Sequence, residues 1–456
     1  MEDLLPLLVK GLSLTIVLVS AVYLLVKVWG EVLLPEGSRL RDVRAMRHFV
    51  YQPVLSERYE PLPRKKVWLT VIGLFLVTRI LIFLASLSYA AATSGAGNLG
   101  FTLGSWWYEY DSYHYINIAV NGYQSTGEDQ NLIVFYPLYP WLIRLLHFVI
   151  PDFYVEFFQG YIVNGDYYVA AIVISNAFLL VGMYYLVRLV EREWQDGKLA
   201  LASVKYWLLY PVSFFFSIVY TESVFVTLCI LCFYHMRQSR WWIAGLFGLL
   251  AALTRNQGVL LAIPIAVELA VQQEWGRLLR ERRYRVWLRG LFPRIFTVAL
   301  PAVGIGIYLS VNKVVSGDWF RFLFHQKDHW GQTFGFFAEN LAEHMRRALT
   351  YHKPLFNVGV YLPQITVFFV SFALLIYMTN KIRLSYALYS FAYLIISYSA
   401  SALLSGTRYV GGMFTLYLFI AYVARRTTTS ERPYIDWVLL SALLFYTVVF
   451  GLNYVF

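Results

Sequence analysis

The sequence predicts an all-α polytopic membrane protein, and three observations lead there. Of its 456 residues, 59% are hydrophobic and 14% charged, more apolar surface than a soluble fold of that length can hide. The apolar runs are long and continuous rather than alternating, which selects helices over a β-barrel. The net charge of +11 gathers in alternate loops, where Lys and Arg set orientation in a bilayer. No Lys/Arg-rich arm or nucleic-acid motif accompanies that charge, so the composition argues against a nucleic-acid partner.

Taken in order, the stretch "MEDLLPLLVK" lacks a basic n-region and a small-residue cleavage site. The first apolar run, 11–34, is therefore expected to remain as a helix. The loop 35–66 carries Arg39, Arg41, Arg44, Arg47, Arg58, Arg64, Lys65 and Lys66 and is expected in the cytoplasm. The same rule places 274–294, with Arg282, Arg283 and Arg285, and the stretches 380–383 and 424–433 on that side. The span 67–92 then runs outward and puts 93–133 on the non-cytoplasmic side, in periplasm, exterior or lumen. Residues 135–150 read as a juxtamembrane or re-entrant helix on that outer face, because 151–166 holds acidic residues and no basic ones. Further spans are expected at 167–188, 199–219, 222–236, 241–254, 257–272, 295–315, 355–378, 384–403, 410–424 and 436–454, roughly twelve in all. Several are short for a bilayer, which suits half-helices around a cavity. Cys229 and Cys232 form a CxxC in an apolar run without a second ligand pair, and buried reduced thiols are the simpler reading.

Some charges sit where this topology makes them expensive. Arg255 in "ALTRNQG" and Arg408 in "LLSGTRYVGG" fall between spans on the outer side, and Arg79 falls inside a span. Arg79 is expected to pair with a carboxylate such as Glu222. The small residues around Arg408 leave its guanidinium room for a ligand, and phosphate matches the planar fork. In "WWYEYDSYHY", Glu109 and Asp111 lie among aromatics. Solvation at the membrane surface accounts for Glu109, whereas the rings after Asp111 suit a sugar site or a base. In "RFLFHQKDHWGQ", His325 and His329 share a helical face, but no HExxH or third ligand appears. Substrate contact through Gln326, His329 and Trp330 is preferred to a metal site.

The stretches "YEYDSYHYINIAVNGYQ" and "NLIVFYPLYPWLIRLL" resemble the first outer loop of the PIG-V family, the GPI mannosyltransferase 2 relatives. Further matches are "YPVSFFFSIVYTESVF", "GLLAALTRNQGVLL", "FLFHQKDHWG" and "SGTRYVGGMF", in the family's order, within residues 67–414. The family's usual Trp-Asp is Tyr110-Asp111 here. The resemblance implies a GT-C-like bundle with a catalytic outer loop, residues 67–456, preceded by an extra helix and basic loop, residues 1–66. It implies an inverting glycosyltransferase, in this family a mannosyltransferase, that takes sugar from a polyprenyl- or dolichyl-phosphate carrier. The acceptor would be a glycolipid or other hydroxyl, with membrane lipids as surroundings. Asp111 would be the base. Arg408, Arg255, His114, Tyr110, Gln326, His329, Trp330 and Tyr409 would bind substrate, and no metal or other cofactor is implied.

A polytopic transporter or lipid flippase is the alternative, since broken helices and intramembrane charges also mark substrate pathways. Against it, the halves do not repeat, and the polar content concentrates in two outer loops. An acyltransferase using a histidine within a span fits less well, because the histidines lie mostly in loops.

Overall fold

The chain is an all-α polytopic membrane protein, seen here as a computed structural model that describes residues 4–34, 49–51, 59–94, 99–157, 161–351, 353–428 and 431–455. Among them, six helices are long and apolar enough to cross a bilayer, and four more are apolar but shorter. Of the basic loop 35–66, Arg39, Arg41, Arg44, Arg47 and Arg58 lie outside the described residues.

Helix α1 (Leu4–Val28) continues through a π-turn to Leu33, and α2 (Arg64–Thr93) follows. Two short helices follow, α3 (Leu99–Trp106) and α4 (Asp111–Asn121). A 3-10 turn (Glu128–Val134) then meets α5 (Leu138–Leu146) at a bend of 109°, and α5 falls within 135–150, the stretch read as a juxtamembrane or re-entrant helix. The next stretch is not a plain loop. Strands β1 (Tyr154–Phe157) and β2 (Tyr161–Asn164) pair antiparallel, with Tyr154 opposite Asn164, consistent with their aromatic and β-branched composition.

Helix α6 (Gly165–Trp194) is a full span, and α7 (Gly197–Leu208) begins at Asp196, whose carboxylate accepts the Lys198 and Leu199 N–H groups. The expected span 199–219 is interrupted. Pro211 cannot extend a helix, Ser213 Oγ donates to the Leu208 carbonyl, and a 3-10 turn covers Ser213–Phe216. Shorter helices α8 (Glu222–Met236), α9 (Trp241–Ala252) and α10 (Ala262–Gln272) follow, then α11 (Trp275–Arg280) and the long α12 (Tyr284–Ser316). Next come α13 (Arg321–Trp330) and α14 (Phe337–Thr350). Gly331, at φ 60°, takes the left-handed position that ends α13. The chain finishes with α15 (Pro354–Met378), α16 (Leu384–Tyr398), α17 (Gly406–Gly411), α18 (Thr415–Arg426) and α19 (Arg432–Gly451).

The elements cross between two ends of one bundle, and the described basic stretches 274–294 and 380–383 begin or end beside Glu31 and Val32 at one of them. There Glu31 accepts the Leu384 N–H and pairs with the buried Lys27, while Gly276 lies against the Val32 carbonyl. Nearby, Arg237 bridges Glu193 and Glu268, and Arg383 reaches Glu193 at 2.7 Å. Each of these buried charges has an opposite partner, as a low-dielectric interior requires. At the other end, Lys10 of α1 pairs with Glu339 of α14. Between the ends lies an aromatic core in which Trp207, Phe233, Tyr386, Tyr389, Phe414 and Tyr417 are buried. This core and the paired network hold the opposite end rigid, and the candidate site is there.

Candidate active site

The site begins with a strained backbone. Tyr110 adopts φ 53° and ψ −118°, a region that costs a non-glycine residue about 1–3 kcal/mol. Its ring packs on Phe450 and its hydroxyl donates to Asn453 Oδ1 at 2.6 Å, so α19 holds it there. The consequence is positional: Asp111 becomes the first residue of α4, where exposed N–H groups favour a carboxylate.

Asp111 Oδ2 accepts from Arg408 NH1 at 2.9 Å. The Asp111 side chain is 24% exposed and that of Arg408 10%, so the pair sits in a cleft with one open side. Arg408 comes from α17, a short helix between α16 and α18. Its guanidinium lies over the rings of Tyr220, Phe215 and Tyr409, with centroids 5.1, 5.2 and 5.6 Å away. Its Nε faces Glu222 Oε1 at 3.5 Å. Glu222 also takes Arg255 NH1, and Arg255 lies over Tyr409 at 5.0 Å. Asp111, Arg408, Glu222 and Arg255 thus form one part-buried chain of alternating charge.

Close packing fixes the supports of this chain. The turn after Arg255 closes with Gly258 N–H donating to the Arg255 carbonyl at 2.9 Å. A Cβ on Gly258 would stand 2.2 Å from Ala252 N, so only glycine lets that turn press onto α9. Tyr220 Oη donates to the Glu109 carbonyl at 3.2 Å, tying the α3–α4 link to the wall below Arg408.

The remaining sequence candidates divide. His114, one turn after Asp111 on α4, packs on Phe135 at 5.0 Å and faces Trp330 at 6.4 Å, so α13 closes over this side. Burial lowers the His114 pKa and favours its neutral form, and its Nδ1 has no partner among the described residues. Gln326 turns instead to Gln332 at 3.2 Å, and His329 to Asp328 at 3.5 Å. His325 is buried, and its Nε2 accepts from Arg321 at 3.2 Å. Among the described residues no three His, Cys, Asp or Glu side chains gather as a metal set. Glu109 has no ion pair among the described residues, and burial raises its pKa.

Two placements differ from the sequence reading. Arg79 pairs with no carboxylate among the described residues: its NH1 donates to Ser217 Oγ, while Nε and NH2 are buried without partners. Glu222, its expected partner, belongs to Arg255 and Arg408 because it starts α8 at the site. Glu222, Tyr220 and Phe215 are therefore site residues that the sequence reading missed. The available signal was a carboxylate directly after a broken apolar run, in "FSIVYTES".

No protein-family model matches the chain, and no curated protein matches it in sequence. Among solved structures, it is similar to ArnT from Cupriavidus metallidurans bound to undecaprenyl phosphate, at 13% identity and a TM-score of 0.44, over 84% of this chain and 75% of that one. It is also similar to the Archaeoglobus fulgidus oligosaccharyltransferase in the apo form, at 12% identity and a TM-score of 0.41, over 82% of this chain and 55% of that one. The archaeal oligosaccharyltransferase AglB from Archaeoglobus fulgidus, in complex with an inhibitory peptide and a dolichol-phosphate, gives 11% identity and a TM-score of 0.40, over 83% of this chain and 56% of that one. The chain spans little more than half the length of these two oligosaccharyltransferases.

Proposed function

We propose that the chain is an inverting GT-C glycosyltransferase, a PIG-V-like mannosyltransferase that uses a polyprenyl- or dolichyl-phosphate sugar at the non-cytoplasmic face. The observation that carries this reading is the Arg408–Asp111 contact at 2.9 Å in a part-buried cleft, with Arg255 held beside it by Glu222. A transfer from a lipid phosphate needs a base and a pair of cations in adjacent places, and this arrangement supplies both. The motif order in the sequence supports the family, and the basic stretches 274–294 and 380–383 at the opposite end support the outward-facing site.

In the reaction, the acceptor hydroxyl gives its proton to Asp111 as its oxygen attacks the sugar C1. The C1–O bond to phosphate breaks on the opposite face, and its electron pair stays on the phosphate oxygen. Arg408 and Arg255 stabilise the charge that develops there. The guanidinium groups supply the positive charge, so the reaction as proposed uses no cofactor. Proton removal by a positioned carboxylate contributes about 10²–10⁴-fold. Aromatic rings of His114, Phe135 and Trp330 stand beside Asp111, where an apolar sugar face would lie.

The test is transfer by the purified chain in proteoliposomes, from radiolabelled undecaprenyl- or dolichyl-phosphate mannose to a mixed glycolipid acceptor pool. Labelled product that requires Asp111 and Arg408 supports the reading. Movement of the intact donor across the membrane without any product replaces it with the transporter.

A further inference from the structure

We infer that Glu222 is a positioning residue that weakens the phosphate site on purpose of turnover, holding both arginines convergent while cancelling one of their charges; this rests on the glycosyl-transfer reading above. Glu222 is 1% exposed and opens α8. Its Oε1 serves Arg255 NH1 and also faces Arg408 Nε at 3.5 Å. Among the described residues, its Oε2 and Arg408 Nε have no hydrogen-bond partner. Both guanidinium groups lie against the Tyr409 ring, at 5.0 and 5.6 Å, close enough to repel each other without the carboxylate between them.

The charges give the sign of the effect. Two carboxylates and two guanidinium groups leave the resting cluster neutral. Arg408 NH1 has two N–H groups, so a donor phosphate can take the one that Asp111 Oδ2 does not use, while Glu222 remains beside the Nε edge of Arg408. Removing the Glu222 charge leaves the cluster with a net positive charge in a low-dielectric cleft. Every phosphate ligand is then held more tightly, including the polyprenyl phosphate left after transfer. A carboxylate whose task was only to fold the site would show the opposite, with weaker binding on its loss.

The experiment compares wild type, Glu222→Gln, Glu222→Asp and Arg255→Ala in detergent. Binding of free undecaprenyl phosphate is read by thermal shift, and donor KM and kcat are measured separately. Glu222→Gln is expected to bind undecaprenyl phosphate at least about tenfold more tightly, with KM and kcat both falling. Arg255→Ala is expected to bind it more weakly, with KM rising. Glu222→Asp keeps the charge but withdraws it by one methylene, and its affinity should lie between those of wild type and Glu222→Gln. Weaker binding by Glu222→Gln overturns the inference, as does Glu222→Asp affinity below wild type should the Gln variant not fold. If wild type itself shows no shift with undecaprenyl phosphate, the glycosyl-transfer reading fails first, and the two failures are distinguishable.

Discussion

Asp111→Asn separates the chemical from the structural role of the best-placed carboxylate. The substitution keeps the side chain's shape, and the amide oxygen still accepts from Arg408 NH1, now as a neutral acceptor in place of the 2.9 Å charged contact. A hydrogen bond between two charged groups contributes about 1.5–3 kcal/mol and a neutral one about 1 kcal/mol, so the loss is roughly 1–2 kcal/mol. Stranding a buried guanidinium costs more, about 3–5 kcal/mol, but Glu222 still stands 3.5 Å from Arg408 Nε and limits that penalty. The variant should therefore fold, with a modest drop in thermal stability, and bind undecaprenyl phosphate as well as wild type or better. Its turnover should fall at least about 100-fold, which corresponds to about 2.7 kcal/mol, because an amide cannot take the acceptor proton. Single-turnover transfer from a labelled polyprenyl-phosphate sugar, with thermal denaturation on the same samples, measures both. Glu109→Gln is the control and should keep most of the activity. Near-normal turnover in Asp111→Asn, or an inactive Glu109→Gln, would refute the assignment of the base.

Arg408→Lys keeps the charge but loses the fork that spans Asp111 and Glu222, and donor affinity measured by titration should weaken about 10- to 100-fold. Gly258→Ala brings a Cβ within 2.2 Å of Ala252 N, so the turn carrying Arg255 must shift, and kcat/KM should fall at least about tenfold. His344 on α14 is buried, neither ring nitrogen has a partner among the described residues, and burial with the nearby Arg347 pushes its pKa down from 6.5 to about 4, against an opposing pull from Glu343. The unfolded chain takes up that proton first, so stability should decline as pH falls from 6.5 toward 4, by up to about 3 kcal/mol, and level off below. His344→Phe, followed by chemical denaturation across that range, should flatten the slope. For topology, His329→Cys should react with an impermeant maleimide in intact cells and Arg283→Cys only after permeabilisation; Cys229 and Cys232 are buried and add little background.

The helices were legible because a bilayer solvent makes each apolar run declare itself. Arg255 and Arg408 were legible as cations between spans on the outer side and Asp111 as a carboxylate among aromatics, and the structure brings the three together around Glu222. Their partners were not legible. Glu222 is the first residue of the candidate span 222–236, and nothing in its neighbours tells whether α2 or the α9 and α17 ends will face it. The 3-10 break at Ser213–Phe216 decides that question by turning the Tyr220 and Glu222 side toward Arg408. The β1–β2 hairpin was missed because strands of four residues carry too short a pattern to separate from a loop. In α13, the shared face of His325 and His329 was read correctly, with ring centroids 5.4 Å apart. Of the three residues of that helix read as substrate contacts, Gln326, His329 and Trp330, it is Trp330 that packs on Phe135 and His114.

Arg79 has a consequence for how the chain enters the membrane. It sits midway along α2, and its side-chain partner, Ser217, lies 138 residues further on. A lone arginine at the centre of an inserting helix costs about 2.5–3.5 kcal/mol on insertion scales. At about 5–20 residues per second of synthesis, the ribosome needs roughly 7–28 s to deliver Ser217. Throughout that interval the Arg79 guanidinium lacks the one side-chain acceptor that it meets in the folded chain among the described residues. Insertion of α2 is therefore expected to be easier in Arg79→Leu, which leaves no guanidinium to hold until Ser217 is made.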